Sequence, residues 1–474
     1  MGFALALSAV TAAPAPAAGA GPASVGDGIV APKGAGRVRV HRFPATVVRR
    51  RSITFKVWGV NPHRVVGAAV ILHRPSRHRH LLHRRVGRRH ARGGARRGRL
   101  RVRMRVPRSI PRSGGRRAMA LVKTVGPPRA RPGTCVEVDS FGGWPAGCWR
   151  PYSDLSPFNR PLPADPRIAA DSAGVVRRLT GWGEAQPMVV GHPEGSDADY
   201  SHPVYYARPS DPTYTVNCTR WASSCEIDGM RVHIPAGARP AGGGDGHMAV
   251  IDRSEGWEYD FWQVHTTPLP GSGGVISVSH GGRTPWGTED ATGLGSNATA
   301  AHFALDAGVI RAEEWASAAA TGSSIDHALF MTVKCSGGYS VYPADQGTTA
   351  ASCASFGSRN ENAPPVGAHF YLDLSDAQIN ALAVPAWKKP ILKAMAHYGL
   401  YVGDTFANHD NSFGLMTESD EQYRALGEPG RFAALGRRWD VGTWNGAYVF
   451  DVGSGVNWAA HLKMLDPCVA QGTC

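Results

Sequence analysis

Two runs, HMAVID (247–252) and WEYDFWQV (257–264), hold the densest set of residues able to do chemistry in this chain. Between them lies Arg253-Ser254-Glu255-Gly256, a four-residue turn ending in glycine, which favours a β-hairpin. Pairing Asp252 with Trp257 sets the register, and side chains along a strand alternate between faces. One face then carries Met248, Val250, Asp252, Trp257, Tyr259 and Phe261, which is mostly core material. The other carries Asp245, His247, Ala249, Ile251, Glu258, Asp260, Trp262 and Val264. Asp260 opposes small Ala249 and stands diagonal to His247, and diagonal neighbours sit roughly 7 Å apart. Carboxylates, an imidazole and an indole on one wall suit sugar chemistry. The indole stacks on the apolar face of a ring, and a carboxylate or imidazole moves the proton. The plain alternative is the polar outer face of a sheet, and a one-residue slip would scatter the cluster.

Other residues offer less. His327, in IDHAL, opens a strand and can project into a cleft mouth or serve as a satisfied structural histidine. His302 lies in ATAAHFAL, which reads as helix and so as packing. His265 and His280 flank the Gly-rich LPGSGGVISVSHGG, a candidate lid. Asp404, in YVGDT, ends a strand near a turn and reads as a turn residue. His78 and His80 stand inside an Arg-rich run that repels a cation. HExxH, P-loop and GxSxG patterns are missing, so zincin, nucleotide and serine-hydrolase readings lose their anchors. No cofactor is expected beyond a loose structural calcium site around Asp197–Asp199.

The elements that must position these groups divide the chain into four parts. Residues 1–34 read as the end of a signal peptide, ALALSAVTAAPAPAAGA, followed by a Gly/Ala/Pro tether, without the basic segment that usually opens one. Residues 35–126 read as short alternating strands and suggest a small immunoglobulin-like sandwich. In GRLRVRMRVP, Leu100, Val102, Met104 and Val106 share one face and four arginines the other, the pattern of a half-buried strand. The stretch 75–98 reads as a long basic hairpin loop, and 127–150 as a linker with a disulfide. Residues 151–474 form the main domain, with many strands, a short helix near 169–179, a second over 300–315, and a third in PAWKKPILKAMAHYG that stops at Gly399. The expected fold is all-β dominated, the small sandwich preceding a larger two-sheet, jelly-roll-like sandwich with a few short helices.

Charge is segregated. Residues 1–134 hold 30 Lys or Arg and one acid, Asp27, a balance of +29, while the rest carries 22 bases and 36 acids, a balance of −14. Arginines such as Arg84, Arg85, Arg88 and Arg89 suit phosphate and carboxylate, whose oxygens fit the guanidinium fork. An anionic cell-wall polymer or polysaccharide is the expected partner, set against an Arg bias on a solvated surface. Aromatics there are sparse, so base stacking and specific nucleic-acid binding are not expected. No stretch reaches the roughly 18 apolar residues of a membrane span. Eight cysteines fall into the close pairs Cys135/Cys148, Cys218/Cys225, Cys335/Cys353 and Cys468/Cys474. None has CxxC spacing with a histidine placed to complete a zinc site, so sequential disulfides in an oxidising, secreted setting are expected.

The order GDGHMAVID (244–252), EYDFWQ (258–263), ATAAHFALDAGVIRAEEW (298–315), IDHALFMTV (325–333), PPVGAHFYLDL (364–374) and AHYGLYVGDT (396–405) resembles a group of secreted actinobacterial and soil-bacterial proteins. That group often has Arg where Gly246 stands and Glu where Asp260 stands. The resemblance implies secretion and a shared β-rich domain with a His/acid hairpin, and it supplies no substrate.

Two functions follow. The first is a secreted carbohydrate-active enzyme, a glycoside hydrolase or polysaccharide lyase, acting on a wall or environmental polysaccharide. Asp245, His247, Asp260 and His327 are its candidate catalytic groups, and Glu258, Trp262 and His265 its candidate substrate contacts. The hydrolase would use Asp260 with Asp245 or Glu258 as acid and base. The lyase would use a histidine to take a proton beside a uronate carboxylate. The second function is a non-catalytic surface protein that binds glycan or wall polymer. The acidic balance of the main domain argues mildly against a polyanionic substrate.

Overall fold

The computed structural model describes residues 151–474, apart from 253, 287–290, 297, 346–350 and 407–410, together with the backbone of seven earlier strands. These are β1 (Arg39–His41), β2 (Ser52–Trp58), β3 (Val65–His73), β4 (His80–Arg84), β5 (Arg99–Arg105), β6 (Arg117–Thr124) and β7 (Cys135–Val136). They form two antiparallel sheets, ordered β1-β2-β5 and β4-β3-β6-β7. Strand β4 corrects the reading of 75–98 as loop, because Leu81 and Leu82 interrupt the arginines with residues a ladder accepts. Likewise β7 stands within the stretch read as linker. The expected signal peptide and tether lie outside the described residues.

The main domain is β-rich with short helices. Its strands are β8 (Met188–Val190), β9 (Val204–Ala207), β10 (Thr213–Cys218), β11 (Arg231–His233), β12 (Met248–Asp252), β13 (Trp257–Val264), β14 (Gly274–Pro285), β15 (Leu329–Val333), β16 (His369–Leu372), β17 (Leu400–Thr405), β18 (Phe413–Leu415), β19 (Thr443–Trp444), β20 (Ala447–Phe450) and β21 (Leu462–Met464). A six-stranded sheet runs β11-β10-β14-β13-β12-β9, a five-stranded sheet β18-β15-β17-β16-β21, and a small one β19-β20-β8. Both larger sheets are mixed. The ladders β9–β12, β10–β14 and β15–β17 are parallel, where a jelly roll's neighbours run antiparallel.

The β12–β13 register is the expected one, Asp252 facing Trp257 and Ala249 facing Asp260. The Gly-rich run read as a lid is instead largely β14, a central strand, since β-branched Val275, Ile276 and Val278 override its glycines. Gly281 is needed there: a Cβ would strike the Asp260 carbonyl and the Ile227 side chain. The two faces of the hairpin bury as alternation requires. Met248, Val250, Tyr259 and Phe261 pack with Tyr205, Tyr214 and Ile276, while Ala249 and Ile251 pack with Val204, Trp286 and Leu305.

Residues 298–310 fill the space between the two large sheets. Leu305 joins the hairpin face, and Phe303 joins Phe330 and Tyr401 of the other sheet together with Phe158. The helix expected over 300–315 is therefore displaced to Ala312–Thr321. His302 and Gly308 hold left-handed φ values of 57° and 74°, so burial of alternate residues against two sheets overrides the alanine helix propensity. The opposite face of the five-stranded sheet packs on helices. Leu329, Met331, Leu400 and Val402 meet Ile391, Leu392 and Met395 of the helix Lys388–His397. That helix stops as expected at Gly399, φ 80°, where a Cβ would strike the His369 ring.

Three of the four expected cysteine pairs are bonded: Cys218–Cys225, Cys335–Cys353 and Cys468–Cys474. Cys148 lies outside the described residues, and Cys135 is described only as backbone of β7, so the expected Cys135–Cys148 bond falls outside them too. Among the described residues no helix is long and apolar enough to cross a membrane.

Candidate functional site

The hairpin face expected to do chemistry is divided by the chain's own residues. At its centre Glu258 and Asp260 are fully buried beneath Ser296 and residues 298–306. The Tyr152 hydroxyl donates to Glu258 Oε2 at 2.6 Å, and the Asp306 N–H donates to Oε1 at 3.1 Å. Ser296 and the Leu305 backbone lie against Asp260. Burial pushes the Glu258 carboxyl up to about 7, against the two bonds it accepts. Burial, and then the Glu258 charge, push Asp260 and Asp306 well above the ordinary carboxylate range. Three carboxyls away from water cannot all ionise, so they hold protons between them.

His327 belongs to a second buried network. Its Nε2 lies 2.9 Å from Glu314 Oε1 and its Nδ1 2.8 Å from the Ala328 carbonyl. Both ring nitrogens thus face oxygen acceptors. Glu314 also takes Arg311 Nη2 at 3.0 Å and caps its own helix through the Arg311 N–H at 2.9 Å. Burial works to raise Glu314, and Arg311 and His327 outweigh it, holding the carboxyl at about 2. His327 is itself buried within this network. The carboxylate of Asp199, considered for calcium, is taken by the Ser201 and Ser419 hydroxyls, and among the described residues no group of three or more acidic, His or Cys side chains has metal geometry.

The open part of the face is its Asp245 end. Trp262 Nε1 donates to Asp245 Oδ1 at 3.1 Å, and both residues are half-buried. His247 is buried, with Nε2 donating to the Ala298 carbonyl at 3.2 Å and Nδ1 without a partner. Its ring meets His202 edge-on at 4.8 Å. Burial lowers the His247 imidazole, while Asp245 and Ala298 pull the other way. Two residues on, the Ala300 N–H donates to Asp404 Oδ2 at 3.1 Å, and the Thr405 N–H donates to Oδ1 at 2.7 Å. Residues 298–300 thus place Asp404 next to the hairpin. Burial pushes this carboxyl up to about 7; Thr405 and Ala300 oppose that, and the charge of Asp245 adds to it. Asp404 is more than the turn residue its strand-end position suggests.

The rim of this end is aromatic. Trp221 is 56% exposed and lies parallel to Trp262, ring centroids 5.9 Å apart and planes 8° apart. Arg220 places its guanidinium carbon 4.4 Å from the Trp221 ring and 5.8 Å from the Trp262 ring. His280 meets Trp221 edge-on at 5.8 Å. Neither Trp221 nor Arg220 stands out in the sequence; the only signal is a tryptophan inside a short Cys-to-Cys loop. The Nε2 of His265 meets Ser279 Oγ at 2.9 Å, and with Gln263, Arg239 and five glycines this residue lines a cavity of about 400 Å³. The positive φ of Gln263, 52°, reorients the strand end there, so Val264 packs in the core opposite the face its position predicts.

Of the expected site residues, the structure therefore gathers Asp245, His247 and Trp262, seals Glu258 and Asp260 beneath Ser296 and residues 298–306, holds His327 in a second buried network, and sets His265 on the cavity that Gly244 and Gly246 also line. No family model matches the chain, and no curated protein is similar to it. The chemistry rests on this geometry alone.

Proposed function

We propose that the protein is a secreted carbohydrate-active enzyme, a glycoside hydrolase that works on a cell-wall or environmental polysaccharide at the Asp245 end of the hairpin. The observation that carries the reading is the placement of a buried carboxyl, Asp404, beside the hairpin by the Ala300 N–H at 3.1 Å, near a second, Asp245, that accepts from the Trp262 indole; burial pushes Asp404 up to about 7. Acid and base roles need two carboxyls whose environments push their proton affinities apart. In this reading neutral Asp404 gives its proton to the departing glycosidic oxygen. Asp245 acts at the sugar carbon or on water. Trp262 and Trp221 take the apolar face of the ring. His247 positions the 298–300 segment that carries the Asp404 contact. Glu258 and Asp260 hold the covering segment and do not meet substrate.

The seven N-terminal strands, in their two sheets, fit an immunoglobulin-like sandwich that anchors the enzyme to anionic wall polymer. The two large sheets of the main domain fit a sandwich with 298–310 as its filling. The three disulfides are compatible with export. A non-catalytic glycan binder is the second reading, and the sealing of Glu258 and Asp260 favours it.

The test is a glycan panel read for new reducing ends and, for the lyase version, for ultraviolet absorbance of unsaturated products. Turnover is expected to fall as pH rises above about 7, where Asp404 loses its proton, and Asp404→Asn is expected to abolish turnover while keeping binding. Intact protein that binds glycan without turnover leaves the binder reading.

A further inference from the structure

The short loop after β10 presents one indole in an unusual way. Trp221 adopts φ 51° and ψ 39°, the left-handed region that a bulky aromatic residue seldom occupies. The loop is closed by Cys218–Cys225 and tied to β14 by the Thr219 N–H to Val278 and the Arg220 N–H to Ser279. The Trp221 carbonyl accepts from both the N–H and the hydroxyl of Ser224. Strained backbone held this firmly, with the indole outward, marks a surface built to be touched.

Arg220 adds a charge. In a stretch of chain whose net charge is −14, its guanidinium makes no ion pair and no side-chain hydrogen bond among the described residues, and it lies over both indoles. A guanidinium with its fork unused is shaped for a carboxylate. Stacked rings beside it take the apolar face of a pyranose.

We infer that Arg220, Trp221 and Trp262 form a subsite for an acidic sugar, the indoles receiving the ring and the guanidinium its carboxylate. This rests on the glycan reading above and adds the charge class of the substrate. It also reverses, locally, the expectation from net charge: the domain is acidic, and this rim is cationic. An acidic sugar is held at the rim while Asp245 and Asp404 meet the bond beyond it.

Calorimetric titration of the full chain with tetragalacturonate, and with the same tetrasaccharide after reduction of its carboxyls, tests this. The acid form is expected to bind roughly ten- to hundredfold more tightly, the difference one charge-assisted guanidinium–carboxylate contact makes. Arg220→Gln should level the two sugars. Trp221→Asn, whose new residue tolerates the left-handed backbone, should weaken both. Equal binding of the two sugars by the unaltered protein, still weakened by Trp221→Asn, overturns the acidic-sugar assignment and leaves the glycan reading standing. No binding of these or of neutral oligosaccharides overturns both.

Discussion

Replacing Glu258 by Gln tests the claim that the centre of the hairpin stores protons. In the folded protein Glu258 is held up to about 7, chiefly by burial. In the unfolded chain it returns to about 4.3. A carboxyl whose folded value is raised favours folding most when it is protonated in both states. Its contribution is therefore full below about pH 4.3, falls as pH rises, and is lost by the time pH passes about 7. That span corresponds to about 3 to 4 kcal/mol between pH 4 and pH 8. Asp260 and Asp306, also pushed up by burial, add loss in the same direction. A glutamine side chain at this position has no proton to lose. Its carbonyl can accept from the Asp306 N–H, and the Tyr152 hydroxyl can turn to accept from its amide. Urea unfolding of both proteins, followed by tryptophan fluorescence from about pH 4 to 8, is the assay. The expected result is a shallower loss of stability for Glu258→Gln, the curves diverging by about 3 kcal/mol at the alkaline end. A constant offset says nothing about proton storage; parallel pH profiles for the two proteins would refute it.

Two further expectations concern parts of the chain away from the site. Cys335–Cys353 closes a loop with a sequence separation of 18, so replacing both by Ser should cost about 3 kcal/mol of unfolding free energy, measured in the same urea series. Retention of the full chain on purified cell wall should drop between 0.1 M and 1 M salt, as the screening length shrinks from about 10 Å to about 3 Å; salt-independent retention would remove the role of the basic N-terminal strands.

Much of the hairpin was legible from local rules. A four-residue turn ending in glycine and strict alternation determined which side chains share a face as far as Trp262, because a strand has period two; beyond it the positive φ of Gln263 turns Val264 to the other face. The helix Lys388–His397 was legible for the same kind of reason, an apolar stripe followed by a glycine stop. Spacing alone left the cysteine connectivity open, and the structure shows three of the sequential pairs. Composition determined the split between a basic first part and an acidic remainder.

What a face meets is a different matter, since it depends on residues far along the chain. ATAAHFALDAG has the local preferences of a helix, and only two sheets closing on it from either side force His302 and Gly308 into left-handed backbone. That one segment decides the chemistry. It seals Glu258 and Asp260 from water, carries the Ala298 and Ala300 contacts to His247 and Asp404, and leaves Asp245 and Trp262 open at the end. Asp404 lies more than 150 residues from Asp245 in sequence, and no local pattern announces that they share a field. Proton affinity is set by the dielectric and charge around a group, and both are properties of the packed molecule. The chain by itself therefore determined which residues could act, and the tertiary packing decided which of them meet water, and each other.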